Sequence, residues 1–418
     1  IKPERSPCVV ETESAANVPG PGEIPNIKAA PASEKNVAKS IERTLNFSYL
    51  VTTTKCYDEI QMSYQIFDGH NDVLFRLFLK NKMDVHEDFL QGDNEGHLDL
   101  PRMEEAGFKG GFFAIYVPSP EAEVNSSDKP IRYDEMEKDE YSLPLPDLIG
   151  SDQALPIVIR KISLLSQIEK HSQGKVKICL SGSELEKSFQ ERSLSVLMHI
   201  EGAECIDDNF YNLEALYRSG LRSIGPVWSR PTIFGEGVPF AFPHSPDTGK
   251  GLTSKGIELI KHCNDLKIIV DNSHLNEKGF WDIAKHSHHP LVATHSNVHQ
   301  LCPHTRNLTN KQLDAIKETK GMVGVNFAPA FLRPDGKMIA ETDIQIIVDH
   351  FKYFIDYLGE DCVGFGSDFD GAMMPKDLSS VLGMKKLLDL MVNQGFDEQL
   401  MTKLCHQNWI QLVKRTLS

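Results

Sequence analysis

Residues 64–72 read Y-Q-I-F-D-G-H-N-D, and this stretch decides both the predicted fold and the predicted site. Tyr64–Phe67 is typical of a short buried strand, and His70 and Asp72 follow it after Gly69. Residues two apart in an extended chain point to the same side, so this imidazole and this carboxylate can reach one point. Nitrogen and oxygen ligands in that arrangement suit a divalent metal such as zinc. Because most H-x-D motifs are turns or surface pairs, this one needs support from the rest of the chain.

The composition excludes several classes of protein. The chain has 418 residues, of which 40% are hydrophobic and 25% charged, as in ordinary globular proteins. A formal net charge of -15 argues against a nucleic-acid-binding surface. No apolar run approaches the length of a membrane-spanning helix, so we expect no membrane span. The 8 cysteines are scattered without a C-x-x-C pair, and we interpret them as buried free thiols rather than a disulfide framework.

The chain divides into two parts. Residues 1–60 form an N-terminal arm with an accessory helix, because residues 1–34 are rich in proline, alanine and glycine and carry few large apolar side chains. Ser33 would cap the helix, and Val37, Ile41 and Leu45 recur at helical spacing. Residues 61–418 are predicted to form one α/β domain.

Eight strand-like runs alternate with helical segments in that domain. They lie at Gln65–Phe67, Gly111–Val117, Ser195–Ile200, Leu221–Val227, Lys267–Val270, Leu291–Ala293, Met322–Phe327 and Cys362–Gly366. Strands separated by crossover helices predict a parallel sheet, and eight is the number that closes a (β/α)8 TIM-type barrel. We interpret the long second gap, with an extra strand-like piece at Val176–Leu180, as an elaboration. A doubly wound open sheet is the alternative architecture.

The carboxyl ends of these strands carry residues that bind metals. Active sites of barrels lie at those ends. In chain order the residues there are His70, Asp72, Glu201, Trp228, His274, His295 and Asp368. Two metals need a bridging ligand, and Glu201, in H-I-E-G-A-E, is well placed as a bridging carboxylate.

The other histidines serve as a control. His286, His288 and His289 form a denser cluster, but they precede a strand and belong at the opposite end of the barrel, where we expect a solvated loop. His97 could equally cap local backbone. His199 lies two residues before Glu201, and we interpret it as an interior residue that supports the site.

The motifs resemble one family in order along residues 64–412. D-G-H-N-D at 68–72, A-G-F-K-G-G-F-F at 106–113, I-E-G at 200–202, S-H at 273–274, T-H-S at 294–296, R-N at 306–307 and G-F-G-S-D-F-D-G at 364–371 resemble the membrane (renal) dipeptidase family. The resemblance implies a zinc-dependent dipeptidase on a (β/α)8 barrel, commonly a homodimer. Its substrates would be short peptides with a free C-terminal carboxylate.

The resemblance also implies roles for single residues. His70 and Asp72 would hold the first zinc, His274 and His295 the second, and Glu201 would bridge them. Two cations that share a water lower its pKa and polarise the scissile carbonyl. Asp368 would accept the proton and deliver it to the leaving amine. Arg306 would hold the substrate carboxylate with its planar fork.

Two departures from the family pattern change the expectations. Trp228, in P-V-W-S-R-P, stands where mammalian members have a substrate-binding histidine, and an indole offers only one N–H donor. We therefore place Trp228 in the substrate site with an altered role. Cys302 matches a disulfide-bonded cysteine of secreted relatives, but its partner position near Pro334 holds no cysteine. This absence, and the lack of a hydrophobic C-terminal tail, favour the cytoplasm or another reducing compartment, unless a targeting peptide has been removed.

Two other functions remain open. Another binuclear amidohydrolase could act on a lactam or an N-acyl amino acid, although many cyclic-imide hydrolases use a carboxylated lysine where Glu201 stands. A catalytically weak barrel that only binds ligands is the third reading, supported by Trp228 alone. Metal content and a dipeptide panel would distinguish the three.

Overall fold

The computed structural model describes residues 64–119, 133–191 and 193–418. The predicted arm and helix at residues 1–60 lie outside this part of the chain. The strands, in chain order, are β1 Ile66–Asn71, β2 Phe108–Tyr116, β3 Tyr141–Ser142, β4 Val176–Ile178, β5 Leu194–Glu201, β6 Leu221–Gly225, β7 Ala241–Phe242, β8 Ile269–Val270, β9 Val292–Ala293, β10 Met322–Val325 and β11 Val363–Phe365.

Parallel pairing dominates the sheets. One sheet has the order β1-β2-β5-β6-β8, with β4 paired to the start of β5. A second has the order β11-β10-β9, and both are parallel throughout. Single parallel bridges join their edges, Asp271 with Val292 at one side and Asn71 with Phe369 at the other. The α/β prediction is therefore confirmed as a parallel sheet system, and each of the eight predicted runs overlaps a strand.

The helices follow the strands as crossover connections. They are α1 Val73–Leu79, α2 Val85–Gln91, α3 Leu100–Glu105, α4 Ser151–His171, α5 Gly182–Gln190, α6 Tyr211–Arg218, α7 Ser254–Leu266, α8 Glu277–His286, α9 Asn310–Glu318, α10 Pro329–Leu332, α11 Gln345–Leu358, α12 Met384–Asn393, α13 Glu398–Thr402 and α14 Asn408–Thr416. Side-chain caps start several of them. Thr253 accepts from the Gly256 amide before α7, and Thr309 forms a capping box with Gln312 before α9.

An apolar cluster packs against the amino-terminal halves of several strands. It includes Phe67, Phe112 and Leu197 from three neighbouring strands and Trp409 from α14. The Trp409 indole is fully buried and donates to the Phe365 carbonyl oxygen at 2.9 Å. Because this end is packed with side chains, an open site can form only at the carboxyl ends of the strands.

Two smaller features complete the fold. The extra strand expected at Val176–Leu180 is β4, and β3 and β7 form an antiparallel pair that the sequence pattern did not predict. Among the described helices, none is long and apolar enough to cross a membrane.

Candidate metal centre

Six buried side chains of the predicted site meet at the carboxyl ends of the parallel strands. They are His70, Asp72, Glu201, His274, His295 and Asp368, each at most 8% exposed. His70 is near the end of β1 and Glu201 ends β5, whereas the other four lie in the loops just after β1, β8, β9 and β11. The two parallel sheets thus bring residues almost 300 positions apart to one place, as expected for the carboxyl ends of strands.

The Glu201 carboxylate lies at the centre of the cluster. Its Oε1 is 2.9 Å from His274 Nε2, 3.4 Å from His295 Nε2 and 3.6 Å from His70 Nε2. The two nitrogens of His274 and His295 are 3.0 Å apart. His70 Nε2 is also 3.1 Å from Asp72 Oδ2. One carboxylate oxygen therefore faces three imidazole nitrogens that belong to three different strand ends.

A hydrogen-bonded chain fixes the tautomer of His295. Thr294 Oγ1 donates to Asp271 Oδ2 at 2.6 Å, so that hydroxyl has no second proton to give. His295 Nδ1, 2.8 Å from the same hydroxyl oxygen, must then be the donor. Burial lowers the pKa of His295 well below its ordinary value, so the ring is neutral. Its Nε2 therefore carries a lone pair directed at Glu201, the state that metal binding needs.

His274 has a similar environment. Burial is the main cause that lowers its pKa well below the ordinary value, and the Arg306 charge acts in the same direction. Its Nδ1 lies 3.0 Å from Ser229 Oγ, which fixes the orientation of the ring. When Nδ1 donates to Ser229, the Nε2 lone pairs of His274 and His295 face the same point.

Strong negative charge surrounds His70. Burial alone would lower its pKa, but the Glu201 and Asp72 carboxylates raise it to about 10. Burial also raises the pKa of Glu201, an effect that His70 opposes and Asp72 strengthens. The carboxylates thus favour positive charge at His70.

Asp368 lies in a turn that favours aspartate. Its φ is +63°, in the left-handed region that Asp and Asn enter more readily than most residues. Asn326 Nδ2 donates to Asp368 Oδ2 at 2.9 Å. Burial raises the pKa of Asp368 to about 6, with His70 opposing and Asp72 adding to the shift. Asp368 can also approach a metal, since carboxylate and imidazole atoms of His70, Asp72 and Asp368 lie within 4.8 Å of one another.

The neighbouring acid has a different environment. Asp370 accepts from Arg76 Nε at 3.2 Å and from the His97 amide at 2.6 Å. His97 Nδ1 in turn accepts from the Asp370 amide at 2.8 Å, so this histidine caps backbone that is distant in sequence rather than local. Gly371 lies directly against the cluster, because a Cβ at this position would overlap Asp72 Oδ2 and Asp368 Oδ1. Only glycine fits there.

Trp228 lines a pocket that opens from the cluster, whereas Arg306 is buried and does not line the pocket. Arg306 is buried behind it, with Nη1 donating to the Ser273 carbonyl and Nη2 to the His295 carbonyl at 3.1 Å. Its Nε is buried without a hydrogen-bond partner among the described residues. Burial lowers the pKa of Arg306 to about 10, although Asp368 and Glu201 oppose the shift.

The other histidines lie away from the cluster or behind it, although His286 ends helix α8 and is half-buried rather than part of a solvated loop. His199 is fully buried, with Nδ1 2.9 Å from Ser223 Oγ and its ring 5.4 Å from that of His70. His288 is exposed, and His289 Nε2 lies 3.2 Å from the Asn264 carbonyl oxygen, before β9.

Sequence reasoning missed several residues of the site. Asp271 accepts from Thr294 and Ser273, and it lies close enough to His70 and His295 to join a metal site. Its position at a strand end could have identified it, since Asp271 directly follows β8 in D-N-S-H. Ser229 follows Trp228 and could have been noted with it. The aromatic residues of the pocket come from separate segments, and no motif marks them.

A buried imidazole and carboxylate cluster at the carboxyl ends of parallel strands defines a metal-dependent hydrolase of the α/β class. Residues 55–417 match the Membrane dipeptidase family, Peptidase family M19. The chain belongs to this family, so the resemblance drawn from the motifs is confirmed. It is a metallo-dipeptidase, a hydrolase that acts on peptide bonds.

Similar proteins agree with this assignment. A metallo peptidase from Rhodobacter sphaeroides, solved with a phosphinate mimic of the dipeptide L-Ala-D-Ala, is 50% identical, with a TM-score of 0.82 over 85% of this chain and 99% of that one. The dipeptidase AC, a metallo peptidase of family M19, is 49% identical, with a TM-score of 0.81 over the same shares. An uncharacterized Klebsiella pneumoniae protein from the pqqA 5′ region is 46% identical over 260 residues, 62% of this chain and 96% of the relative.

Proposed function

We propose that the chain hydrolyses dipeptides with two zinc ions, held by His70 and Asp72 on one side and by His274 and His295 on the other, with Glu201 as the bridge. The observation that carries this proposal is the position of Glu201 Oε1, within 3.6 Å of the Nε2 atoms of all three histidines. A bridging carboxylate must lie within reach of the ligands of both metals, and Glu201 lies close to His70 of the first proposed site and to His274 and His295 of the second.

The residues fit the proposed ions. Two neutral imidazoles, His274 and His295, present Nε2 atoms 3.0 Å apart, and lone pairs that face each other are stabilised by a cation placed near both. At His70 the carboxylates that stabilise a proton on Nε2 would equally stabilise a divalent cation. Imidazole and carboxylate together favour zinc over calcium or magnesium, which prefer oxygen ligands.

The protein groups have separate roles in the proposed reaction. Bound zinc would supply a water of lowered pKa and polarise the scissile carbonyl. Asp368, oriented by Asn326, would hold a proton on Oδ1 and pass it to the leaving amine. Arg306 would recognise the free C-terminal carboxylate with its unpaired Nε, although the side chain is buried beside the pocket rather than lining it. Trp228 would contact the substrate as part of the pocket wall.

Three wider proposals accompany this function. The two parallel sheets would form one closed (β/α)8 barrel, supported by the bridges at Asn71–Phe369 and Asp271–Val292. The chain would act as a homodimer, as the family resemblance implies. It would work in the cytoplasm or another reducing compartment, supported by six unpaired cysteines among the described residues, including Cys302.

Metal analysis combined with a dipeptide panel tests the proposal. We expect about two zinc ions per chain by elemental analysis, and hydrolysis of L,L and L,D dipeptides that chelation abolishes and zinc restores. The L,D members are included because the Rhodobacter sphaeroides relative was solved with an L-Ala-D-Ala mimic. One metal or none after reconstitution would contradict the two-zinc site. Hydrolysis of a lactam or an N-acyl amino acid in place of dipeptides would contradict the substrate.

A further inference from the structure

The pocket beside the metal cluster has a wall made almost wholly of aromatic rings. We call Phe75, Tyr116, Trp228, Phe240 and Phe331 the aromatic wall, and all five line the pocket. Neighbouring rings contact one another, with centroids 5.3 Å apart for Phe75 and Tyr116 and 5.0 Å for Tyr116 and Trp228. Trp228 and Phe240, and then Phe240 and Phe331, are each 5.8 Å apart. The wall is therefore continuous across one side of the pocket.

The charged lining residues all belong to the metal cluster. They are Asp72, Glu201, His274 and Asp368, and the remaining lining, among the described residues, is aromatic, methionine, glycine or alanine. A side chain that lies against the aromatic wall would leave water without gaining an ionic partner there. Burying an unpaired charge costs far more than burying an apolar group, so the wall favours apolar side chains.

Aromatic rings can also attract cations, so a cage for a cationic side chain is the alternative. Arg230 Cζ lies 5.4 Å from the Trp228 ring and 5.7 Å from the Tyr116 ring, and Lys161 Nζ lies 4.8 Å from the Phe75 ring. Both cations are fully buried, and neither lines the pocket. They therefore approach the rings from the protein side.

A third cation completes this arrangement. Arg306 Cζ lies 5.3 Å from the Phe331 ring, again from a buried position that does not line the pocket. Arg306 forms no ion pair with a carboxylate of the described residues, although Asp368 and Glu201 are near enough to raise its pKa against the effect of burial. Arg230 is offset by Glu204, at 2.8 Å, whereas Lys161 donates only to the Tyr116 carbonyl oxygen at 2.6 Å. A cation on the pocket side of these rings would meet repulsion, which argues against the cage.

We propose that the aromatic wall makes this dipeptidase selective for substrates with a large apolar side chain, aliphatic or aromatic, and that it discriminates against lysine and arginine most strongly. This inference rests on the proposed function, since it concerns the side chain of the dipeptide bound beside the metal cluster. Glutamate and aspartate would be disfavoured less, because their charge forms no ion pair at the wall but does not meet the repulsion that lysine and arginine meet there.

Two series of dipeptides test this selectivity on the metal-loaded enzyme. The series X-glycine and glycine-X carry alanine, norleucine, phenylalanine, lysine or glutamate at X, and norleucine matches lysine in chain length without the charge. We expect kcat/KM for norleucine and phenylalanine to exceed that for lysine and glutamate by at least about tenfold in one series. Equal rates for norleucine and lysine in both series would overturn the inference.

A failure of the proposed function gives a different result. If no member of either series is hydrolysed, including those with alanine, the dipeptide substrate is wrong whatever the wall does. Titration calorimetry of norleucyl-glycine and lysyl-glycine then tests the wall directly. Tighter binding of norleucyl-glycine supports the proposed selectivity of the wall. Equal binding of the two dipeptides, or no binding of either, overturns that selectivity.

Two variants locate the effect in the wall. Phe240→Glu places a carboxylate among the rings and should improve lysyl-glycine relative to norleucyl-glycine by at least about tenfold. Phe240→Leu, the matched control, keeps the wall apolar and should leave that ratio within a few-fold of the native value. An unchanged ratio in a folded Phe240→Glu would contradict the inference. Should that variant fail to fold, the native series remain decisive.

Discussion

Two groups of histidines occupy opposite ends of the parallel strands. His274 and His295 follow β8 and β9, are buried, and have neutral rings oriented by hydroxyl groups. His288 and His289 precede β9, are exposed and half-buried respectively, and hydrogen-bond to Asn264 and Ser287. The second group is denser along the sequence but shares no carboxylate. Position relative to the strand, together with burial, therefore separates the proposed ligands from ordinary histidines.

Glu201→Gln should have the largest effect on the first group. A neutral amide cannot bridge two cations as a carboxylate does, so we expect loss of both metals and of nearly all dipeptidase activity. Elemental analysis of the purified variant after dialysis against zinc measures this directly. Retention of one metal at full occupancy would show that Glu201 binds only one ion.

Asp368→Asn should retain the metals but lose turnover. The amide cannot take up a proton, and general acid–base groups contribute about 10²–10⁴-fold to rate. The Asn side chain tolerates the left-handed φ of +63°, so the turn should persist. Steady-state kcat together with metal content checks this expectation. Near-normal kcat would move the proton transfer elsewhere, and Asp370 is a poor substitute because Arg76 and His97 occupy its oxygens.

Thr294→Val tests the chain of hydrogen bonds from Asp271 to His295. Valine has nearly the shape of threonine but no hydroxyl, so His295 Nδ1 loses its acceptor. Loss of such a supporting group typically weakens metal affinity by about 10–100-fold. Thr294→Ser is the matched control, because it keeps the hydroxyl and should bind zinc nearly as the native protein does. Competition with a fluorescent chelator measures both affinities, and equal values for Val and Ser would contradict the role of Thr294.

The parts of the site that the sequence predicts are those fixed by strand ends. Glu201, His274 and His295 could be placed because each closes or follows a recognisable apolar run. Asp271 acts through Thr294, and its role depends on how β8 and β9 align, which no local pattern encodes. Phe75, Phe240 and Phe331 belong to loops and short helices, and their contacts depend on the packing of segments far apart in the chain. The antiparallel pair β3 and β7 was missed for the same reason, since each strand has two residues.

Arg306→Ala concerns the substrate rather than the metals. If the guanidinium binds the free C-terminal carboxylate, the native enzyme should prefer free over amidated dipeptides by at least about tenfold, since a charged hydrogen bond contributes about 1.5–3 kcal/mol. The alanine variant should lose most of that preference, and Arg306→Lys should restore it only in part. The ratio of kcat/KM for free and amidated substrates gives the answer. A native enzyme that cleaves both equally would rule out this role and favour the lactam or N-acyl substrates.

The double variant His288→Gln/His289→Gln should have the smallest effect of all. Both side chains lie at the amino-terminal end of β9, and glutamine can still hydrogen-bond to the nearby Asn264 carbonyl oxygen. Surface substitutions away from packed or ionic networks usually change stability by less than about 0.5 kcal/mol. We therefore expect native zinc content, native kcat/KM and an almost unchanged melting temperature. A loss of zinc in this variant would mean that the denser histidine cluster binds metal, and the distinction between the two ends of the strands would then fail.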